Sequence, residues 1–140
     1  MPDTILAFDF GHRRIGVAVG QDITASASPL GVIRNSDAGV DRAHIDALIR
    51  EWQPTTLVVG KPLHADGSDS DMTADARRFA ESLRSYGLPV VLTDERFSSV
   101  EAERQLKTAR SAGQRGRISK EDIDAAAAVT IAERYLAGAD

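Results

Sequence analysis

The stretch "ILAFDFGHRRIGVAVG", at residues 5–20, constrains the fold of this chain more than any other. Two apolar runs rich in branched residues, "TILAFDF" and "RIGVAVG", flank the short turn "GHR", which predicts a β-hairpin with Gly11 in its bend. At a period of two, Ile5, Ala7 and Asp9 share one face of the first strand, and Leu6, Phe8 and Phe10 share the other. A carboxylate therefore continues a row of core side chains. Left ionised and unpaired there, it would cost several kcal/mol. A turn aspartate that caps the backbone of "FGHR" explains one such residue, but not a second and a third with the same problem.

Downstream, strands and helices alternate. A third extended segment falls within "ASPLGVIRN", and "VDRAHIDALIREW" carries Ile45, Leu48, Ile49 and Trp52 at helical spacing before Pro54 stops it. "TLVVG" reads as a short buried strand and "HADGSDSD" as a polar loop. Ala76, Phe79, Ala80 and Leu83 line one face of a helix that ends near Gly87. "PVVLTDE" is the next strand and "SSVEAERQLKTA" the next helix, opened by the capping-box pattern of Ser98 and Glu101. Ser119 and Asp122 offer a looser cap for a last helix running to about Leu136. Three leading strands followed by this alternation imply a mixed α/β sheet, antiparallel at first and parallel later, with helices over its faces. Ligands of such sheets gather at the carboxyl ends of strands. Acids stand there: Asp9, the pair Asp94 and Glu95, and Asp122 and Asp124 at the start of the last helix.

Asp124 heads a helical stripe with Ala128, Ile131 and Tyr135, a small apolar face suited to close packing on a sheet. Asp122 lies about 200° around the helix from it, at ~100° per residue, and reads as an exposed first-turn acid that favours the helix dipole. Asp94 and Glu95 point in opposite directions, so one of them at most faces the pocket, and periodicity leaves the choice open. Three converging carboxylates would repel one another unless a divalent cation neutralised them, and hard oxygen ligands select Mg2+ or Mn2+. Two such ions, roughly 3.5–4 Å apart, can activate water and stabilise the leaving oxygen of a phosphodiester. That is nuclease chemistry.

The 140 residues suit a single domain spanning 1–140, and the absence of cysteine excludes disulfides, thiolate metal sites and cysteine nucleophiles. No apolar run reaches the roughly 18–20 residues of a membrane span and no secretory pattern opens the chain, so no membrane partner and a cytoplasmic location are expected. The net charge of −4 argues against a general nucleic-acid coat. Its distribution is uneven: "RQLKTARSAGQRGRISK" carries Arg104, Lys107, Arg110, Arg115, Arg117 and Lys120 with no acid. Alone this reads as a solvated helix end with a mobile basic loop around 111–119. Beside a phosphate-handling site it reads as a steering surface.

Four blocks, "AFDFGHRRIGVAVG", "VVGKPLHADGS", "TDERFSSVEAE" and "IDAAAAVTIAERYL", in this order and spacing, resemble the YqgF/RuvX family of Holliday-junction-resolvase-like nucleases in the ribonuclease-H-like superfamily. The resemblance implies a five-stranded sheet in the order 3-2-1-4-5 with strand 2 antiparallel, helices on both faces, a divalent-metal site and cleavage of structured nucleic acid. Maturation of the 5′ end of small-subunit ribosomal RNA and resolution of branched DNA are the activities associated with that family. Asp9 resembles its first-strand metal ligand, Glu95 its second acid and Asp124 its helix-borne third. Gly11, Arg13 and Arg14 in the hairpin, Lys61 after the fourth strand, and Arg96 and Ser98 after the glutamate match positions that could contact substrate, as could Arg110, Arg115, Arg117 and Lys120. His64 stands where asparagine is common and Lys61 where an apolar residue is common, and the fourth strand lacks the acid found there in related resolvases. A homodimer is expected if the substrate is a two-fold junction.

Two rival readings come from other classes. "DFGHRRIGVAVG" also resembles the first phosphate loop of the sugar-kinase, Hsp70 and actin superfamily, but those proteins close two such domains over a nucleotide. A non-catalytic RNA-binding or ribosome-assembly factor is the second rival. Aromatic residues at 5% of the chain disfavour simple single-strand binding, which needs stacking platforms.

Overall fold

The expected hairpin is present: β1 (Thr4–Asp9) and β2 (Arg14–Gln21) pair antiparallel, from Thr4 opposite Gln21 to Asp9 opposite Gly16. The computed structural model describes residues 3–36, 39–61, 72–94 and 119–137. β3 (Ser26–Ser36) returns along β2 with a bulge, where Val17 faces Gly31 but Ala18 faces Pro29. Gly31 absorbs that irregularity at φ +109°, a conformation L side chains rarely adopt. β4 (Gly39–Val40) adds two residues at the edge. α1 (Arg42–Trp52) follows, capped by the Asp41 side chain and closed by Gln53 in the left-handed region just before Pro54. β5 (Thr56–Lys61) lies parallel to β1, and α2 (Thr73–Leu83) runs into a 3-10 turn that stops at Gly87. β6 (Val90–Asp94) lies parallel to β5, and α3 (Lys120–Leu136) is the last element.

The sheet order is β4-β3-β2-β1-β5-β6. With β5 and β6 as fourth and fifth strands, this is the expected order 3-2-1-4-5 plus one edge strand. A two-residue strand has too few positions to show a period, which is why β4 leaves no mark in the sequence. The expected polar loop "HADGSDSD", the helix "SSVEAERQLKTA" and the basic loop up to residue 118 lie outside the described residues.

Strand alternation divides the core as the pattern predicts. Leu6 and Phe8 of β1, with Leu57 and Val59 of β5, pack against Ile45 and Leu48 of α1 and against Phe79 and Leu83 of α2. On the opposite face Ile5 and Ala7, with Val58, pack against Ile131 and Ala132 of α3. Asp9 belongs by parity to the α3 face.

The fit of α3 rests on residue size. β2 presents Ile15, Val17 and Val19 to the first cluster, so Gly16, Ala18 and Gly20 are left for α3, whose buried residues are mostly alanines. A Cβ on Gly16 would lie 2.0 Å from the carbonyl oxygen of Asp124, and one on Gly20 3.1 Å from Leu136 Cδ1. Gly16 is opposite Asp9 and Gly20 is opposite Ile5, so α3 begins where β1 ends and runs back along it. Its start is fixed by a full capping box: Ser119 Oγ accepts from Asp122 N, and the Asp122 carboxylate accepts from Ser119 N, both at 3.1 Å. Because the Asp124 main chain cannot yield without lifting the helix, Gly16→Ala is expected to destabilise the protein by about 3 kcal/mol, at the upper end for overpacking. Urea denaturation of the variant checks this.

Candidate functional site

The hairpin register and the Gly16 contact together bring two of the sequence-predicted acids to one place. Asp9 is half-buried at the end of β1, directly across from Gly16, and Gly16 abuts the main chain of Asp124. Asp124 is itself half-buried, while Asp122 is exposed and engaged in the cap.

Arg14 Nε donates to Asp124 Oδ2 at 2.8 Å, with side chains 31% and 28% exposed. This hydrogen bond raises the Arg14 guanidinium above its ordinary pKa, against a smaller opposing effect of burial. Arg14, expected as a substrate contact, is committed to an acid of the site. Gly11 is required by the turn itself, since a Cβ there would lie 2.5 Å from the Arg14 carbonyl oxygen. Asn35 Nδ2 donates to the Gly11 carbonyl at 2.7 Å and ties the turn to β3. Arg13 and Lys120 are exposed, and Lys61 is half-exposed at the end of β5. Glu95, Arg96, Ser98, Arg110, Arg115 and Arg117 lie outside the described residues.

Thr93 supplies a signal the sequence did not. Its hydroxyl is buried, with the residue 1% exposed, and has no hydrogen-bond partner among the described residues. Such an orphan costs roughly 1–3 kcal/mol. Thr93 pairs with Gly60, one alternation beyond the Val58–Val91 pair on the α3 face, and so shares the face of Asp9. Thr93 stands on that face with β5 between it and β1; Asp9, Asp124 and Thr93 carry oxygen donors alone, the chemistry a hard divalent cation takes. Among the described residues no three acids, histidines or cysteines converge.

On the other side of the hairpin lies a second polar network that sequence reasoning missed. His12 Nε2 and Asp75 Oδ2 are 2.8 Å apart, and Arg78 also pairs with Asp75. His12 stacks edge-on against Phe10, in a cavity of about 380 Å³. Its partner Asp75 lies 63 residues away, and no local pattern signals such a pair.

The chain matches the family described as "RuvX: Holliday junction resolvase" over residues 3–138. It belongs to the RuvX family. A relative from Burkholderia lata, named "Putative pre-16S rRNA nuclease", is 48% identical over 134 residues, covering 95% of this chain and 88% of the relative. One of the same name from Salmonella paratyphi B is 46% identical over 137 residues, covering 97% of each. Among solved structures, Thermus thermophilus RuvC in complex with a Holliday junction substrate superposes with a TM-score of 0.59 at 14% identity, over 97% of this chain and 94% of that one. The yeast mitochondrial Holliday junction resolvase Ydc2 gives 0.51 at 9% identity, over 94% and 77%. At these identities the solved structures establish the fold of this RuvX member, a resolvase-type ribonuclease-H-like sheet.

The hydrogen bond from His12, then that from Arg78, holds the Asp75 carboxyl below its ordinary pKa. A depressed carboxylate stabilises the fold at pH values above its unfolded pKa of about 4, and that stabilisation is lost as pH falls through the folded value. Asp75→Asn is therefore expected to lower the urea midpoint at pH 7. The difference from the unaltered protein should close at acid pH, below the depressed value.

Proposed function

We propose that the protein is a divalent-metal-dependent nuclease of the RuvX family, hydrolysing phosphodiesters of structured RNA at the 5′ end of precursor small-subunit ribosomal RNA. The observation that carries this is the meeting of Asp9 and Asp124 across Gly16, on the sheet face that also bears the orphaned Thr93 hydroxyl. The names of the relatives from Burkholderia and Salmonella support the RNA substrate. Val90 and Leu92 pack on the α1 and α2 side, which gives Thr93 the parity of Asp9. The family resemblance of "TDERFSSVEAE" supports Glu95 as the second acid.

Asp9, Glu95 and Asp124 would hold Mg2+ or Mn2+, which when bound supplies a Lewis acid for the phosphoryl oxygens and lowers the pKa of a water nucleophile. Asp9 is held by the β1 end, and Asp124 by the capped start of α3 and the Arg14 hydrogen bond, so two ligand carboxylates are oriented before any substrate arrives. The basic stretch 104–120 would draw in the phosphate backbone. A cytoplasmic location belongs to the same reading; a homodimer belongs to the branched-DNA alternative.

The test compares cleavage of labelled precursor ribosomal RNA, single-stranded RNA and four-way DNA junctions, with Mg2+, Mn2+ or a chelator. Cleavage of the precursor RNA with either metal and none with chelator is the expected result; preference for the junction would move the substrate to branched DNA. Asp9→Asn, Glu95→Gln and Asp124→Asn should each lower cleavage by at least about a hundredfold, beyond the 10–100-fold typical of a group one step removed from a metal. No cleavage by the unaltered protein, with biological activity unchanged in all three variants, would instead fit a non-catalytic assembly factor.

A further inference from the structure

Beside Arg14, on the side toward β3, the start of β2, the end of β3 and the starts of α1 and α3 frame a cleft of about 310 Å³. Arg13, Arg14, Arg34 and His44 line it, together with Asp41 and Glu121. Arg14 and Arg34 are direct partners across the antiparallel β2–β3 pair, an arrangement of like charges that is destabilising unless something offsets it. Asp124 offsets only the Arg14 half. Among the described residues neither Arg13 nor Arg34 makes an ion pair, and both are exposed. Their backbones are nevertheless held firmly. Asn35 N donates to the Arg13 carbonyl and Asp41 N to the Arg34 carbonyl, each at 3.0 Å.

The acids facing the cleft do not satisfy these arginines. Asp41 accepts from the His44 main-chain N at 3.3 Å as the cap of α1. Glu121 is exposed on the first turn of α3, and its charge acts on Arg14. Two uncommitted guanidinium groups therefore flank one bound to an acid of the candidate metal site. Guanidinium forks match the geometry of phosphate oxygens and bind them in pairs. Resting on the nuclease reading above, we propose that this cleft is a second subsite, where Arg13 and Arg34, with His44 at the rim, seat a nucleic-acid backbone phosphate neighbouring the one cleaved. Arg14 joins the two sites, tying the cleft to Asp124.

Binding without catalysis tests this. The probes are a fluorescently labelled RNA hairpin and a DNA hairpin of the same sequence, titrated by anisotropy in EDTA across a salt series. Arg34→Gln is expected to weaken binding roughly five- to tenfold at low salt and to flatten the plot of log K against log salt by about one unit, the signature of one lost phosphate contact. Arg34→Lys should recover part of the loss. Arg84→Gln, which removes an exposed charge from the 3-10 turn paired with Glu81, should leave binding unchanged. Loss with the RNA probe alone assigns the phosphate to RNA, and loss with both assigns the site to either backbone. The proposal is overturned if Arg34→Gln binds both probes like the unaltered protein, or if the unaltered protein binds neither. Because no metal is present, failure here is separable from failure of the nuclease reading, which Asp9→Asn tests by cleavage.

Discussion

The approach of α3 to β2 is the contact on which the rest depends. A helix carrying large residues at that seam would ride higher over the sheet, and Asp124 would be lifted away from the end of β1. Instead Gly16, Ala18 and Gly20 on the strand meet a helix whose buried positions are mostly alanine, and the main chain of Asp124 rests on the bare Cα of Gly16. Small residues contribute little apolar area, so this seam is a poor source of stability by burial alone. The larger cluster on the other face, built on Phe8, Phe79, Ile45, Leu57 and Leu83, supplies what the seam does not. The sheet thus has a face that stabilises and a face that positions.

Close approach creates an electrostatic problem. Asp9 and Asp124 are both half-buried and meet at Gly16, so two acids share one neighbourhood. Arg14, two residues before Gly16 on the same face of β2, places its guanidinium Nε on Asp124. Because the bond runs to one oxygen, Oδ2, Arg14 fixes the orientation of the carboxylate. The hairpin therefore holds Asp9 and, through Arg14, sets the orientation of an acid 110 residues away in the sequence.

Much of this was legible from residue order. Alternation in "TILAFDF" assigned Asp9 to a face, and the stripe of Asp124, Ala128 and Ile131 separated Asp124 from Asp122, because a regular period fixes direction wherever one face is buried. The choice between Asp94 and Glu95 was not legible from periodicity, since both faces of β6 carry apolar residues. The Arg14–Asp124 and His12–Asp75 pairs were also hidden. Each joins side chains that only the sheet order makes neighbours. Arg34 was missed for a related reason: an arginine in an edge-side strand reads as solvent-facing, and its pairing with Arg14 depends on a bulge at Val17 and Ala18 that shifts the register.

That bulge links the two basic positions to the acidic ones. Without the residue absorbed near Gly31, the partners at one end of the β2–β3 ladder would be displaced by one residue relative to the other, and a one-residue slip reverses the face of every side chain beyond it. The observed register sets Arg34 opposite Arg14 and leaves Ile33 in the core opposite Ile15. The same irregularity that keeps β3 packed on the large cluster thus places an uncommitted guanidinium beside the committed one. Asp9, Arg14 and Arg34 are arranged by one meander of three strands, so their relative positions are fixed by backbone pairing, and the Gly16 contact sets the start of α3, with Asp124, into the same frame.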